Sequence, residues 1–254
     1  MELSGKTAIV TGSAVGVGRA TALELAKRGA NVVVNYSRSE EDARETAAAV
    51  ERLGAKALLV RADVSQDGEV RAMVERTLDA FGAVHVLVNN AATTVFVNFA
   101  DLEGLKEEDW DRLLAVNLKG PFFCSRAVAG PIKAAGEGAI VNIASIAGIR
   151  AVGSSIAYAA SKAGLINMTV ALARALAPEV RVNCVAPGFI DTRWLRQGLG
   201  PLYERIRQAT AEQTPLGRVS TPEDIARVVL SLIEDADFVT GQTITIDGGN
   251  AIRA

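Results

Sequence analysis

Thr7-Ala8-Ile9-Val10-Thr11-Gly12-Ser13-Ala14-Val15-Gly16-Val17-Gly18 begins as a short apolar run, passes through three glycines and continues into the amphipathic segment 18–28. Strand, turn and helix in that order are the setting a dinucleotide-binding turn needs. Glycines let a ligand approach the backbone closely. A pyrophosphate can then rest against amide groups at the helix N-terminus, where the dipole favours negative charge. The spacing is Gly-x3-Gly-x-Gly, not the commoner Gly-x-Gly-x-x-Gly.

Further runs rich in Val, Ile and Leu follow at 32–34, 57–60, 84–88, 140–143, 180–185 and 243–246. They are runs more than alternations, as expected of strands buried on both faces of a parallel sheet. Amphipathic segments at 39–53, 69–81 and 222–233 lie between them. The pattern predicts an α/β fold with a doubly wound parallel sheet of Rossmann type and right-handed crossovers. With 254 residues, 49% hydrophobic and no linker or repeat, one domain over 1–254 is expected.

Composition narrows the function. There are 27 basic and 29 acidic residues, interspersed, so neither nucleic acid nor an anionic membrane is an expected partner. Met1-Glu2-Leu3-Ser4-Gly5-Lys6 has no secretory pattern, and the apolar stretch 163–177 is too short for a span and carries Arg174. A cytoplasmic protein is expected. Two cysteines, Cys124 and Cys184, and one histidine, His85, offer no metal-ligand spacing, so no metal site is expected. Both cysteines read as small buried residues and His85 as the start of a strand.

At the end of the second strand, Tyr36-Ser37-Arg38 has no acid to bind a ribose 2'-hydroxyl and does have a base for a 2'-phosphate, which favours NADP(H) over NAD(H). Glu40, Glu41 and Asp42 read as the acidic first turn of a helix. Tyr158-Ala-Ala-Ser-Lys162 sets a phenol and an ammonium four residues apart on one helix face. A phenol titrates near ~10. An ammonium roughly 5 Å away at an effective dielectric of about 20 would favour the phenolate by about 3 kcal/mol, roughly two pKa units. Segments 121–135 and 159–177 are apolar on most faces, beyond what a sheet covers, and predict a subunit interface.

Taken together, the chain resembles the short-chain dehydrogenase/reductase family over essentially its whole length. The resemblance rests on the turn Thr11 to Gly18, Asp63-Val64, Asn89-Asn90-Ala91, Asn117 in Val-Asn-Leu-Lys-Gly, Ser145, Tyr158 with Lys162, Pro187-Gly188 followed by Thr192, and Thr240-Gly241-Gln242 to Asp247-Gly248-Gly249. It implies a catalytic set of Asn117, Ser145, Tyr158 and Lys162. Ser145 would bind a substrate carbonyl and Tyr158 would deliver the proton. Lys162 would stabilise the phenolate and hold the nicotinamide ribose, and Asn117 would order a water feeding Lys162. The implied cofactor residues are Gly12, Ser13, Gly16, Val17, Gly18, Tyr36, Ser37, Arg38, Asp63, Val64, Asn90, Ala91, Tyr158, Lys162, Pro187, Gly188, Ile190 and Thr192. A homotetramer is implied as well. Ala92 departs from the family's usual glycine, and an alanine resists positive φ.

The expected activity is interconversion of a small-molecule carbonyl and a secondary alcohol with NADP(H), similar to the 3-oxoacyl reductase and glucose dehydrogenase groups. A segment at about 190–215 is expected to cover the substrate, with Trp194, Leu195, Leu199, Leu202, Tyr203 and Ile206 facing Phe96, Ile146, Ile149 and Val152. Two alternatives stay open: a nucleotide-sensing regulator on the same fold, and epimerase or dehydratase chemistry of the family's longer relatives.

Overall fold

Ala8 and Val10 point one way from the first strand and Ile9 the other, and all three are fully buried. The apolar runs have no polar face because helices cover both sides of the sheet. The computed structural model describes residues 1–252. Among them, β1 (Thr7–Val10), β2 (Asn31–Tyr36), β3 (Ala57–Arg61), β4 (Val86–Asn89), β5 (Gly138–Ile143), β6 (Val180–Pro187) and β7 (Thr243–Ile246) form one parallel sheet in the order β3-β2-β1-β4-β5-β6-β7. Strand order reverses between β1 and β4. In such sheets the ligand crevice lies outside the strands' carboxyl ends at that reversal.

The helices are α1 (Gly16–Lys27), α2 (Glu40–Arg52), α3 (Asp67–Phe81), α4 (Glu107–Leu114), α5 (Gly120–Ala134), α6 (Ala147–Arg150), α7 (Ile156–Leu176), α8 (Arg193–Leu199), α9 (Tyr203–Gln213) and α10 (Pro222–Glu234). On one face Leu25 of α1, Val50 of α2 and Val229, Leu230 and Ile233 of α10 pack on the sheet. On the other face the same is done by Val70 and Met73 of α3, Val128 and Ile132 of α5, and Ala173 of α7. Burying each such side chain stabilises by roughly 1.5–3 kcal/mol. His85 precedes β4, where its Nδ1 accepts from the Thr7 amide at 3.1 Å, and both cysteines are buried and free.

Helix α7 starts earlier than its apolar segment suggested, because Ser155 caps it: the Ser155 hydroxyl accepts from the Tyr158 amide at 3.2 Å. At 21 residues it is long and apolar enough to cross a membrane by length and composition, which corrects the expectation of a stretch too short to do so. Here it packs beside β6 and carries the buried Ser161, Lys162 and Thr169. Between α4 and α5 the chain makes a single π-helical turn, Ala115–Lys119, containing Asn117. Ala92 does not take positive φ. Among the described residues the non-glycine with positive φ is Ala151, at 51°, just after α6.

After β6 the chain leaves the sheet on an excursion that carries α8 and α9. Its neck is closed by a parallel bridge between Ile190 and Ser220, with the Asp191 amide donating to the Ser220 carbonyl at 2.9 Å and the Ser220 amide to the Phe189 carbonyl at 3.1 Å. The excursion therefore departs and returns at one point, above the carboxyl end of β6.

Candidate functional site

The turn after β1 needs glycine for two different reasons. Gly12 and Gly16 have φ of 61° and 59°, which other residues resist. At Gly18 the limit is space, since a Cβ would lie 2.5 Å from Asn90 Nδ2 and 2.6 Å from the Gly12 carbonyl oxygen. Neighbouring strands brace the turn. Asn35 Oδ1 accepts from the Gly12 amide at 3.0 Å, and Asn90 Nδ2 donates to the Thr11 and Gly12 carbonyls at 2.9 and 3.0 Å. Ser13 is buried, its hydroxyl donating to the Val10 carbonyl at 2.8 Å.

The turn opens on a cleft of about 1010 Å³ along the carboxyl ends of the strands. That is the upper end of the ~300–1,000 Å³ typical of small-molecule and cofactor sites. Of the residues expected to hold a nucleotide, Gly12, Gly16, Val17, Tyr36, Ser37, Arg38, Asp63, Val64, Asn90, Ala91, Tyr158, Lys162, Pro187, Gly188, Ile190 and Thr192 all line it. Ser13 and Gly18 are not on its wall; they shape the turn from behind. A Cβ at Gly16 would find nothing nearer than Thr192 Cγ2 at 3.9 Å, so the backbone there faces open cleft. Arg38 is exposed and has no ion-pair partner among the described residues. Glu40, Glu41 and Asp42 form the first turn of α2, Glu40 pairing with Arg44 and Asp42 with Arg193.

Ser145 follows β5 and Tyr158 lies in the first turn of α7, both on the cleft wall. Lys162, one turn beyond Tyr158, is only 2% exposed. Its Nζ donates to the Ile143 carbonyl at 2.8 Å and sits 5.7 Å from the Tyr158 ring centroid. Burial pushes the Tyr158 phenol up to about 12, with the Ser145 hydroxyl pulling the other way. Burial also pulls the Lys162 ammonium down to about 8, offset in part by Cys184. The expectation that Lys162 would draw the phenol below its ordinary range is therefore corrected: Lys162 is fully buried and Tyr158 half-buried, and loss of solvent sets the direction for both groups.

Asn117 is fully buried and off the cleft wall. Its Oδ1 accepts from the Thr93 amide at 2.8 Å, and its Nδ2 donates to the Thr93 carbonyl at 3.0 Å and the Ser161 hydroxyl at 3.1 Å. It ties the loop after β4 to α7 beside Lys162. The apolar part of the cleft holds Phe96, Ile146, Val152, Trp194, Leu195, Leu199 and Ile206. Trp194 meets Tyr158 edge-on, with centroids 6.4 Å apart. Ile149, Leu202 and Tyr203, expected on this wall, are not on it. Tyr203 is instead buried against Phe189, its hydroxyl donating to Asp191 at 2.6 Å. Thr93, Thr94, Ser154 and Arg112 also line the cleft; the first three lie on loops and Arg112 on α4, and no motif in the sequence marks them.

A family model described as enoyl-(acyl carrier protein) reductase matches residues 12–251. The chain is 43% identical over 244 residues to a protein described as ketoacyl reductase 2 of the granaticin polyketide synthase of Streptomyces violaceoruber, covering 95% of this chain and 94% of that one. It is 40% identical to the 3-oxoacyl-(acyl-carrier-protein) reductase FabG of Thermotoga maritima, covering 99% and 100%. Among solved structures, a short-chain dehydrogenase/reductase from Burkholderia xenovorans superposes with a TM-score of 0.91 at 32% identity, covering 97% of this chain and 98% of that one.

The buried ammonium has a measurable signature. Lys162 titrates at about 8 in the folded chain against 10.5 in its ordinary state. Below about pH 8 both states hold the proton, and between the two values only the unfolded chain does, so stability rises with pH in that window. Urea unfolding of wild type and Lys162→Met at about pH 7.5 and about pH 9.5 should show wild type gaining about 2 kcal/mol relative to the variant. A difference independent of pH would mean that the ammonium is not buried as charge.

Proposed function

Because this chain belongs to the short-chain dehydrogenase/reductase family, and so is an NAD(P)-dependent oxidoreductase acting on CH–OH groups, we propose that it reduces a ketone on an apolar or acyl-thioester substrate with NADPH, using Tyr158 as proton donor. The observation that carries this reading is convergence: Ser145, Tyr158 and Lys162 share one cleft with the glycine turn. The residues fit a dinucleotide. Gly16 presents bare backbone at the start of α1, and Arg38 stands unpaired where a 2'-phosphate would lie. The apolar wall suits the acyl substrates named in the two relatives.

When bound, the reduced nicotinamide supplies hydride to the carbonyl carbon. The Ser145 hydroxyl donates a hydrogen bond to the carbonyl oxygen, and the Tyr158 hydroxyl passes its proton to that oxygen as negative charge develops. With its phenol raised to about 12, Tyr158 stays protonated at neutral pH, as a donor must. Lys162 holds its ammonium beneath the Tyr158 ring, where it favours the phenolate left after transfer. Asn117 acts through others, fixing Thr93 on the cleft wall and Ser161 next to Lys162. The chain works as one cytoplasmic domain, with residues 191–219 as a lid over the substrate.

The protein acts as a homo-oligomer, a tetramer in this reading. Only 39% of the most apolar window of α7 is buried, and α5 leaves Phe122 39% exposed, so a second copy is the natural cover. Light scattering at low micromolar concentration should give a multiple of 26.6 kDa, and a mass of one chain would overturn this. The function itself is tested by a panel of ketones and 3-oxoacyl thioesters read by loss of reduced nicotinamide absorbance. Dissociation constants should favour NADPH over NADH, and Arg38→Asp should weaken NADPH by about tenfold to a hundredfold. No turnover across the panel would refute the reductase, and equal or tighter NADH binding by the unmodified protein would refute the cofactor assignment.

A further inference from the structure

Thr192, Arg193 and Trp194 are consecutive, yet each reaches a different part of the cleft. Thr192 stands opposite Gly16 and accepts from the Leu195 amide to start α8. Arg193 reaches away from the lid to the first turn of α2, its Nη1 donating to Asp42 Oδ1 at 3.2 Å and its Nη2 to Asp42 Oδ2 at 2.7 Å. Trp194 lies edge-on to Tyr158. Three residues thus span the cleft from its nucleotide wall to the phenol.

The rest of the lid is stitched to itself. Arg196 bridges Asp191 at 2.9 Å and Glu204 at 3.1 Å, and Tyr203 donates to Asp191. Its neck is closed at Ile190 and Ser220. Among the described residues, two ion pairs join the lid to the rest of the chain: Arg218–Asp224, close to the neck and reaching α10, and Arg193–Asp42, the one that lies on the cleft side. The Leu216 amide also donates to the Gly248 carbonyl at 3.1 Å, near the neck. A further tie is apolar. Gly198 of α8 packs so closely on Phe96 that a Cβ there would lie 2.1 Å from the ring. Asp42 has a further cation nearby in Arg19, but the Arg193 hydrogen bonds are the main reason its carboxyl is held below the usual range.

We propose that Arg193 is a positioning residue: its two-pronged pairing with Asp42 straps the lid to α2 across the nucleotide cleft and seats Trp194 on Tyr158. Release of a dinucleotide then requires the strap to open, and the same opening wets the phenol. The effect is of moderate size, because Arg193 and Asp42 are 55% and 30% exposed and an exposed pair is partly screened. This inference rests on reading the cleft as a nucleotide site, so one arm of its test is free of nucleotide.

Asp42→Asn, Arg193→Gln and the double variant are compared in a Trp110→Phe background, which leaves Trp194 as the sole tryptophan. Stopped-flow release of NADPH should be about threefold to fivefold faster in each single variant. The double variant should be no faster than the singles, because one interaction is lost in all three. Raising salt should speed release in the parent by a larger factor than in the variants, so that their rates converge, because screening of the Arg38 contact is common to all of them. Without nucleotide, acrylamide quenching of Trp194 should rise in both singles by a similar factor, a change that loss of an ordinary surface pair would not produce. Unchanged quenching in Asp42→Asn, or single effects that multiply in the double variant, would overturn the strap. Failure of any variant and of the parent to bind NADPH would overturn the nucleotide reading, with quenching still deciding the strap.

Discussion

Burying an ammonium one helical turn from a half-buried phenol is the constraint around which this molecule is arranged. An ion taken from water costs several kcal/mol unless hydrogen bonds replace the lost solvent. Lys162 recovers part of that through the Ile143 carbonyl, the last residue of β5. The contact fixes α7 against the sheet's carboxyl edge, and the Ser155 cap fixes the turn that carries Tyr158. The proposed chemistry uses this placement. A phenol partly shielded from solvent keeps its proton at neutral pH, and a nearby cation lowers the cost of giving it away.

The second constraint is the crossing at the reversal of strand order. Gly12 and Gly18 let the loops after β1 and β4 touch, and Asn90 spends its side-chain amide holding that contact. Ser13, expected among the cofactor residues, braces the turn from the core, and Asn35 does the same from β2. Nucleotide binding, in the proposed account, follows from a backbone shape that these side chains enforce.

Much of this was legible in the sequence because it depends on local patterns. Runs such as Val32-Val33-Val34 announced strands covered on both faces, and the glycines marked the turn. Tyr158 and Lys162 could be placed on one helix face by spacing alone. Their titration could not, because it depends on what surrounds them: spacing suggested an attraction, while loss of solvent decided the direction for Tyr158. Asn117 fell where expected along the chain, but its partners Thr93 and Ser161 come from other elements. The closed neck at Ile190 and Ser220 and the Arg193–Asp42 pair join residues far apart in sequence and leave no periodic trace.

The central claim is that the Tyr158 hydroxyl supplies the proton. Tyr158→Phe removes one oxygen and keeps the ring that packs on Trp194. The decisive measurement is its turnover on a ketone reduced by wild type, with NADPH affinity as the control for an intact cleft. The account predicts a fall in turnover of about 100-fold or more with NADPH binding retained, and near-normal turnover by the variant would contradict it.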